Sequence, residues 1–226
     1  MRKVRGILFL YLLCVSFFSQ AVHFVSGEIY WKHVGNRVFD VYVVYYNDCA
    51  GYLSNFSTQL EIDGTNGYIN RPRVGLRHDT IRYSPSACGG PLCAPYKLMI
   101  RSEGRFRVDL SQDTSSSYTF KYSECCRSNA ITNVDLSGSV ALNLFGRVNL
   151  ATTDSQYWSS PYFIGDHQFT ASTGGIHQVS FMADDTVAGI DSIAYELISP
   201  LTGTNPVPYY SGYSYQSPLK YLGYPY

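Results

Sequence analysis

The chain predicts an all-β fold: a β-sandwich of immunoglobulin-like type, followed by a second, partial immunoglobulin- or cadherin-like β unit. Three observations carry this expectation. Short stretches rich in β-branched and aromatic residues recur, with turn signals about every eight to twelve residues. No segment sustains the apolar period of a helix. Of the six cysteines, five lie beyond a leader-like start, where they are available to tie strands together.

Residues 1–21 begin with Arg2, Lys3 and Arg5, run through an apolar core over 6–18 and end on Ser19, Gln20 and Ala21. A basic start, a short apolar core and a small-residue exit describe a secretory signal peptide, with cleavage expected after Ala21. The apolar run is too short for a confident membrane span. A lipoprotein reading through Cys14 is disfavoured, because Leu13 stands where a small residue is wanted. Loss of Arg2, Lys3 and Arg5 leaves 14 basic residues against 17 acidic ones, a formal charge of −3. That is not the basic footprint of a nucleic-acid binder. The expectation is a secreted or cell-surface protein that is not an integral membrane protein. A 45% apolar and 15% aromatic composition argues for packed cores over disorder.

In chain order, residues 28–46 read as a hairpin with its turn at Gly35-Asn36-Arg37, and FDVYVVYY as its second arm. A strand is expected over 57–62 (STQLEI), and 69–81 is a poorly patterned strand or loop. Strands follow at 96–100, 104–110 and 118–122, separated in the last case by a polar turn over 111–117. Residues 139–148 (SVALNLFGRV) alternate as a half-buried strand does. The polar stretch 151–159 is the expected boundary between a disulfide-bearing sandwich (22–150) and the second unit (151–226). That unit holds an alternating run at 177–183, a strand at 192–198 and a tail rich in Tyr, Pro and Gly.

The disulfide candidates are Cys49, Cys88, Cys93, Cys125 and Cys126. Five is odd, so two intramolecular bridges at most leave one thiol over. Successive strand side chains face opposite ways, so Cys125 and Cys126 are expected to bond different distant cysteines. A vicinal bridge or a zinc site is the lesser reading, since zinc knuckles use a two-residue spacer. Cys88 and Cys93 are five apart, unlike a redox pair, and read as a loop pinned to the core. Arg127 reads as structural, pairing with a carboxylate such as Glu124 or capping carbonyls.

Catalytic constellations are not evident: the sequence contains no G-x-S-x-G, H-E-x-x-H or phosphate-loop motif. Asp184, Asp185 and Asp191 are the best metal candidates, because calcium takes several oxygens at a turn. Val187, Ala188 and Ile190 occupy positions where further ligands would be needed, so weak calcium binding is set against a plain solvated turn. No other cofactor is expected. Tyr209, Tyr210, Tyr213 and Tyr215 are candidates for stacking on sugars, or ordinary strand residues.

The run CCRSNAITN at 125–133 resembles the CCRN-x-AITN-type element near the N-terminus of large Bacteroidetes surface proteins, which carry PKD-like or immunoglobulin-like repeats and a gliding-motility-associated sorting domain. Residues 27–51, 159–163 (SSPYF), 184–203 and 207–219 are similar to further pieces of that region in the same order. The resemblance departs where that family has cysteines flanking SSP-x-F, since neither is present, and its acidic D-x-DGD turn is eroded over 184–191. It implies an exported, non-enzymatic surface module, adhesin-like or the N-terminal part of a longer chain, with surface glycans or proteins as partners. A secreted carbohydrate-binding module is the alternative.

Overall fold

The computed structural model describes residues 24–48, 57–82, 98–125, 127, 131, 133–136, 140–152, 155–164, 182–185 and 193–217. The expected leader (1–21), Cys14 and most of 165–192 lie outside them. Strands β1 (Phe24–Gly35) and β2 (Val38–Asp48) form the expected hairpin, longer at both arms than the sequence suggests. Its turn passes through positive φ at Gly35 (135°), Asn36 (46°) and Arg37 (64°). Asn tolerates this region, but Arg is strained there. The Arg37 guanidinium holds the geometry by donating to the Ser115 carbonyl at 2.6 Å and to the Tyr118 hydroxyl at 3.2 Å.

Next come β3 (Ser57–Gln59), β4 (Glu61–Gly64), β5 (Ile69–Asn70), β6 (Arg73–Gly75), β7 (Arg77–Arg82), β8 (Leu98–Asp109), β9 (Ser117–Glu124) and β10 (Leu142–Asn149). A 3-10 turn at Ser155–Trp158 is followed by the short strands β11 (Tyr162–Phe163), β12 (Ala183–Asp184), β13 (Leu201–Thr202) and β14 (Asn205–Pro206). Two four-stranded antiparallel sheets, ordered β1-β2-β8-β7 and β10-β9-β4-β5, dominate the described residues. The protein is an all-β sandwich. Among the described residues no helix is long and apolar enough to cross a membrane.

Period-two alternation supplies the core between the sheets. Phe39, Val41, Val43 and Tyr45 of β2 face Tyr118, Phe120 and Tyr122 of β9, and all are buried. Each such side chain contributes about 1.5–3 kcal/mol on burial. Trp31 meets Phe120 edge-on at 5.4 Å, and Tyr45 stacks on Tyr122 at 5.5 Å. The outer face of β2 carries Asp40, which bridges Arg105 and Arg107 of β8 at 2.6 Å each.

Four sequence expectations change. The strand over 57–62 splits at Leu60, whose N–H donates to the Pro72 carbonyl. Thus β3 pairs with β6 while β4 pairs with β9. The two strands expected over 96–110 are one. Gly104, where the second is expected to start, continues the ladder by pairing with Val43, and its missing side chain admits Thr58, whose Cγ2 would lie 3.0 Å from a Cβ there. The poorly patterned stretch 69–81 supplies β5, β6 and most of β7. The strand expected at 192–198 is absent over its described part, 193–198, where no ladder forms and Leu197 and Ile198 stand exposed. β-propensity there finds no paired neighbour to reward it.

The polar stretch 151–159 is spanned by hydrogen bonds. Trp31 N–H donates to Ser160 Oγ at 2.8 Å, Ser160 N–H donates to the Trp31 carbonyl at 3.0 Å, and Trp31 Nε1 donates to the Trp158 carbonyl at 2.7 Å. Residues 158–160 thereby lie along the outer edge of β1, satisfying backbone groups that an edge strand would otherwise present to another chain. Farther on, the Asp135 N–H donates to the Pro208 carbonyl and the Tyr210 N–H to the Asn133 carbonyl, and Val207 is buried.

Candidate ligand-binding cleft

The split at Leu60 has a local consequence. Glu61 pairs with Lys121 across the β4–β9 ladder, but Gln59 turns away to pair with Arg73. The last residues of β9, from Tyr122 to Glu124, therefore have no β4 neighbour. A cleft of about 580 Å³ occupies the gap. Its walls are β3 and β6 on one side, β9 and β10 on the other, and the turn at Gly203-Thr204 between β13 and β14 overhangs it.

Lys121 sits at the centre of one wall, on the outward side of a strand whose alternate residues, Phe120 and Tyr122, point into the core. Its ammonium group donates to Asp63 and lies 3.6 Å from Glu61 Oε1. Arg71 Nε donates to the other Glu61 oxygen at 2.8 Å. The hydrogen bond to Asp63 is the main cause that raises the Lys121 pKa, so the group stays charged. Phe145 pairs with Lys121 across the β9–β10 ladder and presents its ring to the cleft with 40% of its surface exposed. Asn143 Nδ2 donates to the Leu201 carbonyl at 3.0 Å, and Arg127 Nη2 donates to the same carbonyl at 3.3 Å. Together they fasten the overhanging hairpin.

Tyr122 and Thr58 close the inner side of the cleft, and the Tyr122 hydroxyl is directed to the core, where it interacts with the hydroxyls of Thr58 and Tyr45. Burial pushes the Tyr122 phenol far above its ordinary value, so it remains a neutral hydroxyl. Burial also raises the Glu124 carboxyl at the open end of β9.

The residues singled out from sequence are placed as follows. Cys125 stands in a bend just after β9 and is disulfide-bonded. Its partner, together with Cys49, Cys88, Cys93 and Cys126, lies outside the described residues. Arg127 caps the carbonyls of Ala141 and Leu201, the second of its two expected roles, and burial lowers its pKa. Asp184 accepts the Tyr162 hydroxyl at 3.0 Å; Asp185 follows it, and Asp191 lies outside the described residues. Among the described residues no three His, Cys, Asp or Glu side chains gather as a metal site. Of the tail tyrosines, Tyr209 is half-buried and bridges to Val134, while Tyr210 and Tyr215 are exposed.

Two other arrangements invite a functional reading. His78 Nδ1 lies 2.9 Å from Ser102 Oγ, but Ser102 is wholly buried, so the pair is a core hydrogen bond out of reach of a substrate. On the outer face of the first sheet Tyr30 stacks on Tyr42 at 4.8 Å and meets Tyr162 at 5.4 Å, with Arg105 over Tyr42 and Lys32 over Tyr162. These rings cover one another. Phe145, by contrast, is left open to a ligand.

The cleft residues were not legible as a set. The one local signal was a lysine inside an aromatic strand, which marks an outward face. No protein-family model, curated protein or solved structure matches the chain.

Proposed function

We propose that this chain is an exported, non-enzymatic β-sandwich module that acts at the cell surface as an adhesin-like binding unit. The observation that carries the reading is the disulfide at Cys125 in a chain that opens with a leader-type segment. Structural disulfides form and persist in oxidising compartments outside the cytosol. A rigid antiparallel scaffold whose loops and edges present side chains suits recognition at a surface. The resemblance of residues 125–133 to the N-terminal region of large surface proteins supports the same reading, and extends it to a role as one part of a longer surface chain.

The test is where the native product resides. Intact cells and medium are blotted with an antibody against a peptide from residues 24–35, with and without external protease. A protease-sensitive surface band or a band in the medium, starting after the leader, is expected. A protease-resistant product retained in the cytosol with residues 1–21 attached overturns the proposal.

A further inference from the structure

We propose that the cleft between β3, β9 and the β13–β14 hairpin is a saccharide site that takes a neutral pyranose unit of a surface glycan. The inference deepens the surface-module reading by naming its ligand class. Three observations on the cleft support it. At about 580 Å³ the cleft falls within the range of small-molecule sites, roughly 300–1000 Å³, that enclose their ligands. The exposed Phe145 ring offers an apolar platform on which the C–H face of a sugar ring packs.

Beside that ring, on the same face of the sheet, the central charges are already matched: Lys121 with Asp63 and Glu61, and Arg71 with Glu61. A charged ligand would have to displace a partner from one of these pairs. Sugar hydroxyls donate and accept at once, so they add bonds to Glu61 and Lys121 without breaking the network. Phe145, Lys121 and Glu61 form the binding face, and Asn143 is a positioning residue through its hold on the Leu201 carbonyl.

The test uses the secreted chain with its disulfides intact, screened on an array of neutral and acidic oligosaccharides and followed by titration calorimetry on retained sugars. Phe145→Ala and Glu61→Gln are read against Tyr162→Ala, which alters the aromatic ladder of the other sheet. Circular dichroism melting confirms that each variant folds. The expected result is retention of a neutral glycan, at least tenfold weaker binding in Phe145→Ala and Glu61→Gln, and unchanged binding in Tyr162→Ala. Three results overturn the proposal: no glycan retained by a folded protein; binding that survives Phe145→Ala but is lost in Tyr162→Ala; or binding confined to acidic glycans and abolished by Arg73→Ala at the rim. A surface-exposed protein that binds no glycan would sink this inference and leave the surface reading standing, whereas a cytosolic product would sink that reading first.

Discussion

Trp31 rests directly on Gly146: a Cβ at position 146 would fall 2.5 Å from Trp31 Cζ3. The glycine is therefore the floor on which the largest buried ring of β1 sits, joining the edge of one sheet to the edge of the other. Gly146→Ala is expected to cost about 1–3 kcal/mol by overpacking. In a Trp31→Leu background the added methyl has room, and the second cost should shrink. Urea denaturation of the four proteins in the cycle measures the coupling, and additivity within about 0.5 kcal/mol would show that the contact is not what constrains the site.

The strap at residues 158–160 makes a separate prediction. Ser160→Ala leaves the buried Trp31 N–H without its acceptor, a loss of about 1–3 kcal/mol. Ser159→Ala additionally frees His33 N–H. The double variant keeps only the Ser160 N–H and Trp158 carbonyl bonds of the strap, so its β1 edge is loosened and the protein should self-associate, visible as a concentration-dependent sedimentation coefficient. A monomer as stable as the parent would show that the strap is dispensable.

Cys125→Ser should lower the melting temperature, since loss of a native bridge typically costs about 2–5 kcal/mol. Reduction of the parent should bring it down to at least the same level. A variant as stable as the oxidised parent would show that the bridge contributes nothing.

The sandwich was legible because β2 announces itself. FDVYVVYY can bury a continuous aromatic and β-branched face only as a strand, and Gly35-Asn36 is a turn that accepts positive φ. Elsewhere local signals misled. Residues 101–103 fall between two expected strands, yet pairing with β2 on one side and β7 on the other joins those strands into β8. Residues 192–198 read as a strand, and no ladder forms over their described part. The cleft was illegible for a stronger reason. Its walls depend on β3 peeling from β9 at Leu60 and on a hairpin at Leu201–Pro206 returning over Asn143. Neither event has a signature in local periodicity, and Phe145 looks like any other member of an alternating strand until register places it beside Lys121.

His33 gives the protein an acid-sensitive element. Its ring lies 5.3 Å from that of Phe39 and 5.1 Å from that of Trp158, and burial lowers its pKa. With the folded value below the unfolded one, near 6.5, the unfolded chain takes up the proton first as pH falls. The stability contributed by neutral His33 is then full above about pH 6.5 and drains away as pH drops towards the folded value. His33→Gln should remove that part of the slope in a series of melting curves between about pH 8 and pH 5. An unchanged slope would assign the acid sensitivity to other groups.

Glu124 works in the opposite direction. Burial raises its pKa, so the folded protein holds a proton at pH values where the unfolded chain has released it. Stability tied to this group rises as pH falls through the folded pKa and is complete below the unfolded value, near 4.3. At neutral pH the charged carboxylate is a liability in the fold. Glu124→Gln should thus raise the melting temperature at pH 7, with the advantage fading to nothing as pH approaches about 4. Because Glu124 lines the cleft, a stabilising substitution here is also informative about binding. Groups kept at a cost to the fold are concentrated where a protein meets its ligand. If Glu124→Gln is more stable and binds the array glycan less well, the carboxylate is retained for recognition. If it is more stable and binds equally well, the buried charge serves neither the fold nor the cleft.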